Sequence, residues 1–131
     1  MSAATPCPFC PPPADRVVEE NALASAFNDA FPVSPGHVLV VPKRHVASWF
    51  DATAEERDAL LELVDRVKKR LDDWASPGGY NLGINVGRAA GQTVFHLHVH
   101  VIPRYSGDMP DPRGGVRHVI PGKGNYLQSQ D

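Results

Sequence analysis

The chain has 131 residues, of which 42% are hydrophobic and 21% are charged, and its formal net charge is -2. These values are typical of one globular domain, and we expect residues 1–131 to form it. The small charge argues against a general affinity for nucleic acid or anionic membranes, and no apolar run approaches the roughly 20 residues of a membrane span. The start "MSAATPCPFCPPP" does not resemble a signal peptide, so a cytoplasmic location is predicted.

The first part of the chain predicts a proline-rich arm followed by three strands. Residues 1–15 contain the motif "CPFC" and are expected to be irregular. Residues 16–21 and 22–27 are predicted to be short strands with a turn near Asn21, and residues 28–36 to be a loop. The β-branched run "HVLVVPK", residues 37–43, predicts a strong strand that stops at Pro42.

A long helix is predicted next, because the hydrophobic period changes after Asp51. Thr53 followed by Glu56 has the pattern of a capping box, and "SPGG" at residues 76–79 is expected to end the helix. The residues that recur at helical spacing, and that we expect to face the core, are Leu60, Leu63, Val64, Val67, Leu71 and Trp74.

Two further strands are predicted after the helix, over residues 80–87 and over the histidine-rich residues 96–104. Residues 88–93 would form a loop of small residues between them, and residues 105–131 an irregular tail. This order of elements predicts an α+β fold in which one long helix packs on an antiparallel sheet.

The run "HLHVHVIPR" places His96, His98 and His100 at alternate positions. In a strand all three imidazoles would share one face, while the intervening aliphatic residues would face the core. At about 3.3 Å per residue, the outer two histidines would lie roughly 13 Å apart, which is too far for all three to bind one metal ion. The histidines therefore have at least two separate roles, unless they form only a solvated, histidine-rich strand face.

Cys7 and Cys10 form a Cys-x-x-Cys pair, which on its own is a weak signal. The prolines around it disfavour the helix start that a thioredoxin-like redox site needs, and a disulfide is disfavoured in the cytosol. A closed zinc site would need two more ligands, for which histidines are the best candidates. Without zinc, the pair would be free thiols in a mobile arm.

Two blocks of the sequence resemble the histidine triad (HIT) superfamily. They are "NVGRAAGQTVFHLHVHVIPR" and "AFNDAFPVSPGHVLVVPKRH", and the likeness covers roughly residues 7–105. The resemblance implies a nucleotide hydrolase or transferase that acts at the α-phosphate through a covalent nucleotidyl-histidine intermediate. It also implies a homodimer in which the sheet continues from one subunit into the other.

The resemblance assigns roles to individual residues. His98 matches the nucleophile, His100 a phosphate contact beside it, and His37 a fourth histidine near the triad. Asp29 matches the carboxylate that binds the ribose hydroxyls, and Phe27 an apolar wall of the base pocket. The loop positions that match phosphate-binding or loop-shaping residues are Asn85, Gly91, Gln92 and Thr93. Some members of the superfamily complete a structural zinc site, and the matching residues here are Cys7, Cys10, His45 and His96.

The resemblance implies a dinucleoside polyphosphate such as diadenosine tetraphosphate as the substrate, and magnesium could accompany it. A nucleoside phosphoramidate is the alternative substrate, which the sequence "IPRY" after the triad disfavours. Two further hypotheses are a nucleotide-sensing or protein-binding module that turns over slowly and a zinc-binding scaffold without nucleotide affinity.

The tail carries Arg113, Arg117 and Lys123, which could close over distant phosphates. It could equally be an extended arm on the partner subunit. Arg104 could also lie near the phosphates, whereas His118 matches no role and is expected at the surface.

Overall fold

The computed structural model describes residues 6–127, so residues 1–5 of the predicted arm and 128–131 of the predicted tail lie outside the described residues. The main elements are β1 (Val17–Glu20), β2 (Ala24–Asn28), β3 (Val38–Pro42), α1 (Ala54–Trp74), β4 (Gly79–Ile84) and β5 (Val99–Arg104).

The strands form one sheet in the order β1-β2-β3-β5-β4, and every neighbouring pair is antiparallel. Helix α1 packs against one face of this sheet. The predicted α+β architecture, with one long helix on an antiparallel sheet, is confirmed. Strands β1 and β4 are the two edges of the sheet, so the histidine-bearing β5 lies inside it.

Helix α1 begins where the capping box was predicted. The Thr53 hydroxyl accepts a hydrogen bond from the Glu56 backbone N–H, and the Glu56 carboxylate accepts one from the Thr53 N–H. The predicted apolar stripe is buried except at its end, where Trp74 is 61% exposed, so the expectation for Trp74 was wrong. Trp74 is the last helical residue, and its ring lies beside Gly36.

The core lies between α1 and the sheet. It joins the buried part of the helical stripe to helix-facing side chains of β2, β3 and β5 and to Leu97 just before β5. The strand residues are Ala24, Ala26, Val38, Val40, Val99 and Val101. A second, smaller cluster lies on the opposite face of the sheet. There Phe27, Leu39 and Val41 pack with Phe9 and Val17. Both faces are thus partly covered, and the second face carries the histidines.

The histidine-rich strand is shorter than predicted, because β5 begins only at Val99. The chain bends at His96, and the Leu97 N–H donates to the carbonyl of Val46 at 2.7 Å rather than to a neighbouring strand. The alternation nevertheless persists. Leu97, Val99 and Val101 are buried on the helix side.

The remaining boundaries shift by a few residues. The turn between β1 and β2 is made by Asn21, whose side-chain carbonyl accepts from the N–H groups of Leu23 and Ala24. After β5, the described part of the tail is irregular apart from a short 3-10 turn at Gly115–Val119.

None of the helices within residues 6–127 combines the length and the apolar character that crossing a membrane would need.

Candidate active site

Strand register assembles the candidate site on the face of the sheet opposite α1. Phe27 of β2 lies beside Leu39 of β3, and Leu39 lies beside His100 of β5. Directly paired residues of antiparallel strands share a face, so these three side chains form one row across the sheet. The row places an aromatic and an aliphatic surface next to an imidazole.

A cavity of about 380 Å³ opens above this row. Its lining combines aromatic and apolar surfaces with imidazoles, a carboxylate, an amide and a hydroxyl. The candidate residues that line it are Phe27, Asp29, Asn85, Gly91, Thr93, His98 and His100. A larger cavity of about 520 Å³ shares Phe9 with it, but its described lining has no histidine. The cavity of about 380 Å³ is therefore the candidate active site, because histidines line it.

His98 is held in one tautomer by the backbone. Its Nδ1 atom lies 2.8 Å from the carbonyl oxygen of His96, and a carbonyl can only accept, so Nδ1 carries the hydrogen. The other ring nitrogen, Nε2, then keeps its lone pair. Since the side chain lines the cavity, the neutral ring presents Nε2 as a nitrogen nucleophile.

His37 and His100 form a directed chain of hydrogen bonds behind the cavity. The Val33 N–H donates to His37 Nδ1 at 3.1 Å, so the hydrogen of neutral His37 is on Nε2. That nitrogen lies 2.9 Å from His100 Nδ1, which must accept. The hydrogen of His100 is therefore on its own Nε2, where it can serve as a donor to an anion in the cavity.

Burial keeps both of these histidines uncharged near neutral pH. Burial lowers the pKa of His100 to about 4, with smaller contributions from His98 and His37. Burial also lowers the pKa of His37, although the carboxylate of Asp29, 3.4 Å away, acts in the opposite direction. The two rings thus act as fixed dipoles rather than as cations.

The Asp29 side chain lines the cavity, whereas the polar atoms of the Gln92 side chain are all hydrogen-bonded to the backbone. One Asp29 oxygen accepts from the Phe31 N–H at 3.0 Å, so Asp29 shapes its loop and also lines the cavity. The Gln92 side chain accepts from the Gly87 N–H and donates to the carbonyls of Ala47 and Val94. With 6% exposure and no place in the cavity lining, Gln92 holds the loop.

Cys7, Cys10, His45 and His96 form a cluster whose ligand atoms all lie within 4.8 Å of one another. His96 Nδ1 is 3.1 Å from His45 Nδ1 and 3.2 Å from the Cys10 sulfur. Zinc bonds of 2.0–2.3 Å in a tetrahedron would separate such atoms by about 3.3–3.8 Å, slightly more than these two distances. The His96 Nε2–H donates to the Pro42 carbonyl at 2.8 Å, which leaves Nδ1 free for a metal. The donor set therefore fits zinc.

The cavity is also lined by Phe9 and Arg16, which no sequence motif indicated. The Phe9 ring centroid is 5.2 Å from that of Phe27 and 5.3 Å from that of His98. The sequence did offer one signal for Phe9, namely its position between Cys7 and Cys10. A metal ion bound by both cysteines would also hold the residue between them in place. Arg16 carried no pattern of its own.

The tail cations are held within the tail or at its start rather than in the cavity. Arg104 donates to both carboxylate oxygens of Asp108 and to the side-chain carbonyl of Asn81. Arg117 donates to two tail carbonyls, and His118 Nε2 donates to the carbonyl of Arg113. In the described chain, these residues are therefore committed to the conformation of the tail.

The chain is similar over most of its length to proteins of one family. The family model described as the HIT domain matches residues 13–107. A 16.1 kDa HIT-like protein of Mycoplasma pneumoniae is 43% identical over 88 residues, which are 67% of this chain and 61% of that protein. The bis(5'-nucleosyl)-tetraphosphatase (asymmetrical) of Schizosaccharomyces pombe is 39% identical over 100 residues, which are 76% of this chain and 55% of that protein.

The fold is shared with solved structures. A zinc-bound histidine triad family protein from Mycobacterium smegmatis matches with a TM-score of 0.71 and 34% identity, covering 80% of this chain and 79% of that one. The alignment with each of the two curated relatives, in contrast, spans less than two thirds of the relative's own length.

Proposed function

Since this chain belongs to the HIT domain family, we propose that it hydrolyses dinucleoside polyphosphates at the α-phosphate through a nucleotidyl intermediate on His98. The observation that carries the proposal is the bond from His98 Nδ1–H to the His96 carbonyl, because in the neutral ring it puts the lone pair on Nε2, beside the cavity. The S. pombe relative is named for a tetraphosphate substrate of this class.

The first step is a displacement at phosphorus. The lone pair of His98 Nε2 forms a bond to the α-phosphorus, and the bond from that phosphorus to the bridging oxygen breaks. The electron pair leaves with the remaining polyphosphate. The His98 ring gains positive charge, which the His96 carbonyl stabilises through the Nδ1 hydrogen.

The second step is hydrolysis of the intermediate. A water oxygen attacks the same phosphorus and the bond from phosphorus to Nε2 breaks, which returns the lone pair to His98. The water's protons pass to the product phosphate and to solvent. His100 Nε2–H, oriented through His37, donates to a phosphoryl oxygen in both steps. Asn85 and Thr93, which line the same cavity, would add neutral donors.

The rest of the cavity accommodates the nucleoside. Asp29 binds the ribose hydroxyls through a carboxylate that lines the cavity, and the aromatic surfaces of Phe27 and Phe9 contact the base. Magnesium would enter with the polyphosphate rather than through a protein site.

The proposal includes a zinc ion on Cys7, Cys10, His45 and His96. When bound, zinc supplies a structural cross-link and no reaction chemistry, because its four ligands would close the coordination sphere. The cross-link ties the arm, and hence Phe9, to the segment that carries His98.

The proposal also includes a homodimer formed along β4. This strand pairs only with β5 within the described chain, and Leu82 on it is 50% exposed. An open, partly apolar sheet edge favours pairing with a second copy.

The test is to trap the intermediate by rapid quenching with a panel of dinucleoside polyphosphates and nucleoside phosphoramidates, and to locate the adduct by mass spectrometry. We expect the adduct on His98, and we expect His98→Ala to lose more than about 10³-fold in turnover while still binding nucleotide. His118→Ala is the matched control, since that ring is bound within the tail. An adduct on another residue, or turnover that survives in His98→Ala, would overturn the proposal. Faster turnover of phosphoramidates would reassign the substrate class.

A further inference from the structure

We propose that Arg16 reads the base of the bound nucleotide, so that the site prefers a purine with a carbonyl at C6, such as guanine or hypoxanthine, over adenine. This inference rests on the proposed function, because it assumes that the α-phosphate lies at His98. It identifies the nucleoside class that the cavity accepts.

The strand register places Val17, the residue after Arg16, at the end of the row opposite His100. Val17 pairs with Phe27, Phe27 with Leu39, and Leu39 with His100, so the row of side chains crosses four strands. Three strand spacings amount to roughly 14 Å. Arg16 directly precedes Val17 and lines the same cavity as His100.

The surfaces between the two ends determine the orientation of the nucleotide. Phe27, Leu39 and Phe9 line the cavity between Arg16 and the imidazoles and suit the flat faces of a purine. A nucleotide whose phosphate contacts His98 therefore directs the far edge of its base toward Arg16.

The guanidinium of Arg16 is available for a ligand. Among the described residues that line the cavity, Arg16 is the single arginine or lysine. Within residues 6–127 no ion pair and no side-chain hydrogen bond engages it, whereas Arg44, Arg104 and Arg113 are each paired with a carboxylate. Arg16 is also only partly exposed, so a base edge could shield it further from water.

The donor pattern of arginine distinguishes the two purines. A guanidinium has five N–H donors and no acceptor. Guanine offers two adjacent acceptors, O6 and N7, whereas adenine offers N7 beside the N6 amino donor. A good bidentate pair discriminates by 1–3 kcal/mol, which is about 5- to 150-fold in affinity. Because Arg16 is partly exposed, we expect the lower end of this range, about 5- to 10-fold.

The experiment measures dissociation constants by calorimetry for GMP, IMP, AMP and 7-deaza-GMP. The wild-type protein should bind GMP and IMP about 5- to 10-fold more tightly than AMP, with 7-deaza-GMP in between because it lacks N7. Arg16→Met should weaken GMP and IMP binding to about the affinity for AMP. Arg113→Met, in the tail, is the matched control and should keep the wild-type preference.

Three outcomes would overturn the inference: equal affinity of the wild-type protein for GMP and AMP, a preference that survives in Arg16→Met, or an equal loss for all four ligands. The last result would mean that Arg16 either contacts the phosphate or is needed for folding. The melting temperature of Arg16→Met distinguishes these two roles, because only a folding role would lower it. If no nucleotide binds, the proposed function fails as well. If nucleotides bind and the adduct forms on His98 without a base preference, only the role of Arg16 fails.

Discussion

The ion pair between Arg44 and Glu56 offers a quantitative test, because it joins the start of α1 to the loop that carries His45. Glu56 accepts two hydrogen bonds from Arg44, both 2.8 Å long, and also completes the capping box with Thr53. The bonds from Arg44, with a smaller contribution from Thr53, lower the pKa of Glu56 from 4.5 to about 2, and burial opposes them only in part.

The expected contribution of this ion pair to the free energy of unfolding follows from the pKa of Glu56 and from the exposure of the two side chains. A shift of this size would correspond to about 3 kcal/mol of stability. The Glu56 side chain is 7% exposed, but that of Arg44 is 54% exposed, so solvent screens the pair and we expect about 1–2 kcal/mol. Because the pKa is lower in the folded state, this stabilisation is complete above the unfolded value of 4.5 and is lost as the pH falls toward 2.

Urea unfolding of Glu56→Gln measures the effect, because glutamine keeps the capping-box acceptor and removes the charge. At pH 7 we expect the free energy of unfolding of the variant to be about 1–2 kcal/mol lower than that of the wild type. This difference should decrease as the pH is lowered. Glu62→Gln, which breaks an exposed pair with Arg66 on the same helix, is the control and should cost about 0.5 kcal/mol or less. Wild-type stability of Glu56→Gln at pH 7, or a deficit that persists unchanged at low pH, would refute the reasoning.

Three further perturbations probe the site and its support. His37→Phe removes the donor to His100, and we expect kcat to fall roughly 10- to 100-fold with little change in KM; an increase confined to KM would contradict the orienting role. Cys10→Ser should lower the zinc content measured by mass spectrometry from about one ion per chain to a small fraction, and a full complement of zinc would exclude Cys10 as a ligand. Gly36→Ala should lower the free energy of unfolding by about 1–3 kcal/mol, because φ is +93° and the new Cβ would lie 2.7 Å from Leu71. Gly107→Ala has a similar φ but open space, so an equal loss in both variants would exclude the contact with Leu71 as the cause.

Local periodicity identified much of this fold from the sequence. The alternation through Leu97, Val99 and Val101 predicted which side of the chain is buried, because successive side chains of an extended segment point to opposite sides. The pattern of Thr53 and Glu56 predicted the start of α1, since a capping box needs only neighbouring residues. The roles proposed for His98 and Asp29 came from resemblance, which the periodicity could not supply.

The tertiary structure alone decided what lies together across the sheet. Phe27 and His100 belong to strands far apart in sequence, and only the register of β2, β3 and β5 places them in one row. Packing between distant segments also lets the Gln92 side chain hydrogen-bond to the backbone of Ala47, and it places Arg16 in the lining of the cavity. Patterns within one segment follow from backbone geometry, whereas contacts between segments depend on register and packing, which are settled only when the whole chain folds.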